Sequence, residues 1–165
     1  MRRKDREMDD RFALQVVDEC AFAVMSVVLA DGQPYGIPLS IARIDNTIYF
    51  HCAREGKKLD ALLHNPRVSI ACVRNVQPLK DQFTTEYESA IVSGTATRVC
   101  EDAEKIVALR AIGTRYTPDN MSRFDDAIAQ SLQRTDVWKI EIEAITGKRK
   151  KYDAQGNELK YGRTL

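Results

Sequence analysis

The chain has 165 residues, with 25 Lys and Arg against 24 Asp and Glu and a formal net charge of +1. So even a balance removes the electrostatic case for nucleic acid or for an acidic partner. No run approaches the ~20 consecutive apolar residues of a membrane span. The charged stretch Met1–Arg11 has no apolar segment behind its basic residues, so it does not read as a secretory signal. A soluble, cytoplasmic protein is expected, folded as a single domain over 1–165 with charged segments at 1–10 and 148–165. Cys20, Cys52, Cys72 and Cys100 lie far apart, with no C-x-x-C pair and no histidine at zinc-ligand spacing, which argues for small core side chains and against a metal site.

Asp9 and Asp10 precede Phe12, Val16 and Cys20 at helical spacing and predict a capped first helix. Ala21–Leu29 predicts the first strand, and Asp31-Gly32 turns it back into a second, Tyr35–Ile44. Asp45-Asn46 is a hairpin turn into Thr47–Ala53. Gly56 then frees the backbone for a tight turn, and a short helix runs from Lys57 to the Asn65-Pro66 stop. Further strands are expected at Arg67–Val73 and, after a polar loop, at Phe83–Val99. Helices are expected at Asp102–Ile112 and Asp119–Gln133, and a last strand at Asp136–Ile145. Lys148–Lys151 reads as a solvated basic tail. Six strands joined by short hairpins, with helices inserted between them, fit a mainly β fold: a small antiparallel Greek-key barrel with peripheral helices.

Chemistry concentrates at a few positions. Lys57 and Lys58 fall in the first turn of a helix, where unpaired amides and the positive end of the dipole normally discourage cations. Two lysines there point to a bound anion such as a phosphate, the alternative being an ordinary solvated helix start. Pro38 interrupts a strand-like run in which it cannot donate to a ladder, so its strand lies at an edge or beside a gap. Such a position either receives a ligand or blunts an exposed edge. His51 alternates with Tyr49 and Ala53, opposite Ile48, Phe50 and Cys52, and reads either as a hydrogen-bonded structural residue or as a reactive group. Trp138, the sole tryptophan, reads as a core or interface aromatic, and His64 as a cation at a helix end.

Five segments in order, Met1–Glu7, Pro34–Ser40, Tyr49–Lys58, Asn65–Ser69 and Glu88–Ala96, carry a family resemblance. The chain resembles the FMN-binding split β-barrel of pyridoxamine 5'-phosphate oxidase and, more closely, its NimA-like branch, the 5-nitroimidazole resistance flavoproteins. The resemblance implies that Ile37, Pro38, Leu39 and Ser40 line the flavin ring and that Lys57 and Lys58 hold the FMN phosphate. It places Ser89 near that phosphate or the ribityl chain, with Tyr87 beside it, and Arg54 as a weaker candidate. Phe50 and His51 would contact the flavin, His51 also serving catalysis by orienting a substrate or supplying a proton. A homodimer with FMN at the subunit interface is implied, bringing Trp138 and Thr146–Lys148 toward the partner's flavin. The function implied is that of an FMN-dependent oxidoreductase acting on a small molecule, in its finer form a nitroaromatic reductase using NAD(P)H. Alternatives are a non-catalytic flavin or haem binder and a deazaflavin-dependent reductase. The oxidase's C-terminal pair of arginine and histidine has no counterpart in Val137–Leu165, which speaks against vitamin B6 oxidation.

Overall fold

The computed structural model describes residues 2–162. Its elements begin with a two-residue strand β1 (Glu7–Met8) and the helix α1 (Asp10–Glu19), whose start is capped by Asp9 accepting the Phe12 amide at 2.8 Å. Strand β2 (Ala23–Val28) pairs antiparallel with β3 (Pro34–Leu39) around a turn in which Gly32 has φ +83°. Ser40 then ends β3, and β4 (Ile41–Ile44) forms a hairpin with β5 (Thr47–Cys52), with Asp45 at φ +52° in its turn. Helix α2 (Lys57–His64) follows, then the long strands β6 (Arg67–Pro78) and β7 (Thr85–Arg98). Helices α3 (Asp102–Tyr116) and α4 (Phe124–Ser131) precede the last strand, β8 (Asp136–Lys150).

All eight strands join one antiparallel sheet in the order β3-β2-β6-β7-β8-β5-β4, with β1 added against β8. The sheet is not closed. Eight strands replace the expected six for two reasons: Glu7–Met8 pairs with Gly147 and Lys148, and the run Tyr35–Ile44 is two strands rather than one. After Ser40 the chain leaves one edge of the sheet and resumes at the other edge, so neighbours in sequence are opposite ends of the strand order. The barrel class expected from the sequence holds, and the split lies at Ser40.

The core follows from alternation. Ala23, Met25 and Val27 of β2, Ile48 and Phe50 of β5, Ile70 and Cys72 of β6, and Ala90 and Val92 of β7 point inward and pack with Ala13, Val16 and Val17 of α1. Lys148–Lys150 are not a solvated tail: they extend β8 opposite Tyr87–Ser89, and Arg149 Nε stands 3.1 Å from the buried carboxylate of Glu88. Arg74 Nε approaches the same carboxylate at 2.6 Å and Asn75 Nδ2 donates to it at 3.0 Å. The buried carboxylate is met by two guanidinium groups and an amide, which is why a basic run is tolerated there. No helix among the described residues is long and apolar enough to cross a membrane.

Candidate functional site

The start of α2 gathers two lysines, a glycine and unpaired amides. Gly56 holds φ +128°, a conformation L side chains rarely adopt, and a Cβ there would meet nothing within 4 Å, so the backbone is open to a ligand. The helix has no side-chain cap: the Leu59 and Asp60 amides turn back to the Gly56 carbonyl at 2.8 and 3.2 Å, while those of Lys57 and Lys58 have no acceptor among the described residues. Among the described residues neither lysine pairs with a carboxylate. Their ammonium groups rest on aromatic faces, Lys57 Nζ 4.8 Å from the Tyr35 ring centre and Lys58 Nζ 5.2 Å from that of Phe50. Two uncompensated cations beside two free amides are what a phosphate requires.

Next to this corner lies the open edge. Strand β3 pairs only with β2, so its other side is unpaired from Tyr35 to Leu39. Pro38 is exposed there, Ile37 is half-buried against the core, Leu39 is buried and Ser40 sits in the break. Phe50 is fully buried beneath Lys58 and presents no exposed surface to a ligand within one chain.

His51 stands at the end of β5, on the face opposite Phe50. Partial loss of hydration, reinforced by the positive charge of Lys58, holds its imidazolium form below the ordinary histidine range, so the ring is neutral at pH 7. It forms part of the wall of a cavity of about 420 Å³ beneath α3 and α4. Ser40 reaches the same wall, as do Ile112 and Tyr116 of α3, Phe124 and Ile128 of α4, and Thr135. Helix α3 is held over the strands by Arg115, which donates to the carbonyls of Ile41 at 2.8 Å and Cys20 at 2.6 Å, and by Tyr49, which donates to Glu104 at 3.0 Å. Burial and that carboxylate push the Tyr49 hydroxyl up to about 12. The sequence signal for this wall was Phe124, Ala127, Ile128 and Ser131, an i, i+3, i+4, i+7 stripe on what reads as a peripheral helix.

Other expected residues are not gathered here within one chain. Tyr35 pairs with Val27; the adjacent Ser26 pairs with Ser69, which lies opposite Ser93. Ser89 is four residues further along β7, a separation of about 13 Å. Tyr87 and Ser89 instead lie beside β8, where Lys148 Nζ is 5.5 Å from the Tyr87 ring centre. Arg54 turns away from α2 and donates to the Gln133 carbonyl at 3.2 Å. Trp138 is buried opposite Phe50, and its indole N–H is a buried donor with no partner among the described residues. No cluster of metal ligands occurs among the described residues.

The family model for pyridoxamine 5'-phosphate oxidase matches residues 9–149. The chain belongs to that family. A comparison with curated proteins gives no match. Among solved structures, a candidate 5-nitroimidazole antibiotic resistance protein from Bacteroides thetaiotaomicron VPI-5482 is 26% identical, with a TM-score of 0.74 over 87% of this chain and 86% of that one. The FAD and haem binding protein of Mycobacterium smegmatis is 19% identical, with a TM-score of 0.75 over 97% and 88%. The haem storage protein of Vibrio cholerae is 15% identical, with a TM-score of 0.61 over 85% and 94%. The last two likenesses establish the split-barrel fold alone.

Proposed function

We propose that this member of the oxidase family is an FMN-dependent oxidoreductase acting on a small acceptor molecule, in its finer form a nitroaromatic reductase fed by NAD(P)H. The observation that carries this reading is the corner formed by Gly56, Lys57 and Lys58 beside the unpaired edge Ile37–Ser40. A phosphate would take the two lysines and free amides, and the strand edge would offer backbone groups to a planar ring. The flavin, when bound, supplies hydride and electron transfer. The chain's own part is to hold the phosphate, present the strand edge and place a neutral His51 where it can donate or accept a proton at an acceptor. The likeness to the candidate nitroimidazole resistance protein supports the nitroaromatic form.

A homodimer completes the reading. On the outer face of the sheet, Pro38, Val24, Ala71, Ile91 and Thr146 are consecutive cross-strand partners across five strands, and Val24 and Ile91 are more than two-fifths exposed. The adjacent row, Gly36, Ser26, Ser69, Ser93 and Ala144, is small throughout, so a second sheet can approach closely. An exposed face of small side chains with Val24 and Ile91 standing out of it suits an interaction surface. It starts at the Ile37–Ser40 edge, and a twofold partner placed on it would supply Ser89, Tyr87 and Lys148 to the opposite site.

The test is the absorption spectrum of the purified protein with mass spectrometry of the released cofactor. A protein that stays colourless after saturation with FMN would refute the proposal. The likeness to haem proteins and the neutral, accessible His51 favour one second reading, a haem binder, which a Soret band in place of a flavin spectrum would select.

A further inference from the structure

The cavity beneath α3 and α4 differs from the other clefts in one respect. Clefts around Arg123 and Asp126, around Glu86 and Arg149, around Arg110 and Arg115, and around Asp18 and Arg43 all carry charged walls. The cavity at His51 has no Lys, Arg, Asp or Glu in its wall, in a chain of which 30% is charged. His51, its one titratable ring near neutrality, is uncharged at pH 7. An anion entering it would lose hydration with no cation in the wall to offset the loss.

Its polar groups are also selective. The hydroxyl protons of Ser131, Thr135 and Thr117 are committed to the carbonyls of Ala127, Ser131 and Gly113. The Tyr116 hydroxyl accepts the Ile41 amide at 3.1 Å and keeps its own proton to give, and burial makes that proton harder to remove. Ser40 and His51 have no side-chain hydrogen-bond partner among the described residues. Donors with free capacity therefore share the wall with the apolar side chains of Leu109, Ile112, Phe124 and Ile128.

We infer that this cavity binds an uncharged one- or two-ring molecule through a carbonyl- or nitro-type oxygen, received by Tyr116, Ser40 and His51, and that it rejects anionic analogues. A volume of about 420 Å³ suits a ligand of that size. The inference rests on the flavin reading for its use as the acceptor pocket, but the binding it describes needs no flavin.

The test is calorimetry of flavin-free and FMN-loaded protein with 2-acetylnaphthalene and with 6-acetyl-2-naphthoate, which share ring and carbonyl and differ by one carboxylate. The neutral ketone should bind at least tenfold more tightly to both forms. Ala127→Trp should abolish that binding while leaving FMN affinity unchanged. Ser131→Lys, which puts a cation in the wall, should reverse the preference toward the naphthoate. Equal affinities, no binding of either probe, or a ketone affinity untouched by Ala127→Trp would each overturn the inference. Ketone binding by a protein that takes no FMN would leave the inference standing and remove the flavin reading.

Discussion

Lys57 parks its ammonium 4.8 Å above the Tyr35 ring, with no carboxylate of the described residues beside it. A cation over an exposed ring gains about 0.5–1 kcal/mol, less than the 1.5–3 kcal/mol of a charge-assisted hydrogen bond. The lysine therefore has more to gain from an arriving phosphate than it loses in leaving the ring. The double variant Lys57→Ala, Lys58→Ala should weaken FMN by about two to four orders of magnitude. Riboflavin, which lacks the phosphate, should lose far less. Fluorescence titration of both ligands checks this, and equal losses would place the lysines elsewhere than at the phosphate.

His51 should impose a pH dependence. Its imidazolium form is held below the ordinary histidine range, first by lost hydration and then by Lys58, so acidification beyond that range charges a group the fold prefers neutral. Acceptor turnover by the loaded protein should change with that charging, and His51→Asn should flatten the profile while leaving FMN binding within about threefold. A variant whose profile matches the parent would exclude His51 from the acceptor step.

Glu88 is the buried carboxylate that Arg74, Arg149 and Asn75 share. Glu88→Gln leaves Arg149 without its carboxylate and Arg74 with only the exposed Glu19, and should cost about 3 kcal/mol of stability. Chemical denaturation reads the loss. An effect under about 0.5 kcal/mol would mean that Glu19, which also pairs with Arg74, suffices.

Gly94 faces a different constraint. A Cβ there would overlap the Glu141 carbonyl and lie 2.8 Å from Ile140 Cγ2, where the β7–β8 register shifts by a residue. Gly94→Ala should cost about 3 kcal/mol, or about 10 °C in Tm for a chain of this size. A Tm within about 2 °C of the parent would show that the bulge relaxes.

Much of this architecture was legible because it is local. Helix α2 begins at Lys57 and ends at His64 as the Gly56 and Asn65-Pro66 signals require, and Pro38 does lie on an edge strand. The division of Tyr35–Ile44 was not legible, since alternation reports extended backbone and not which neighbour the backbone pairs with. Lys148–Lys150 look solvated until Glu88, sixty residues earlier, is known to lie beneath them. For the cavity, the α4 stripe was visible, but its meeting with His51 depends on Arg115 and Tyr49 holding α3 across the sheet. The placement of Tyr87 and Ser89 away from Lys57 was invisible for the same reason: spacing along β7 carries no information about which row of the sheet faces α2.

The two ends of the chain form an acid-sensitive clasp. Arg6 Nε lies 2.5 Å from Glu158, and Lys160 bridges Glu158 and Asp5 at 2.9 Å each. Hydrogen bonds from Arg6 and then Lys160 hold the Glu158 carboxyl down at about 2, against an unfolded value near 4.5. For a depressed carboxylate the stabilisation is complete above the unfolded value and disappears as pH falls from about 5 toward 2. Proteolysis near Asp153–Asn157 should accelerate over that range before the sheet unfolds, and Glu158→Gln should make it fast at pH 7. Cleavage rates independent of pH would sink this.

The break at Ser40 has a consequence for how the molecule is assembled. The β2–β3 and β4–β5 hairpins each close over a few residues and can form early, yet they meet through one residue only. That short tether leaves no slack, so docking one hairpin fixes where the other begins its search for β8. It also makes position 40 a geometric ruler: lengthening the chain there by a single glycine would widen the mouth between β3 and the α3 cavity without disturbing any strand pairing.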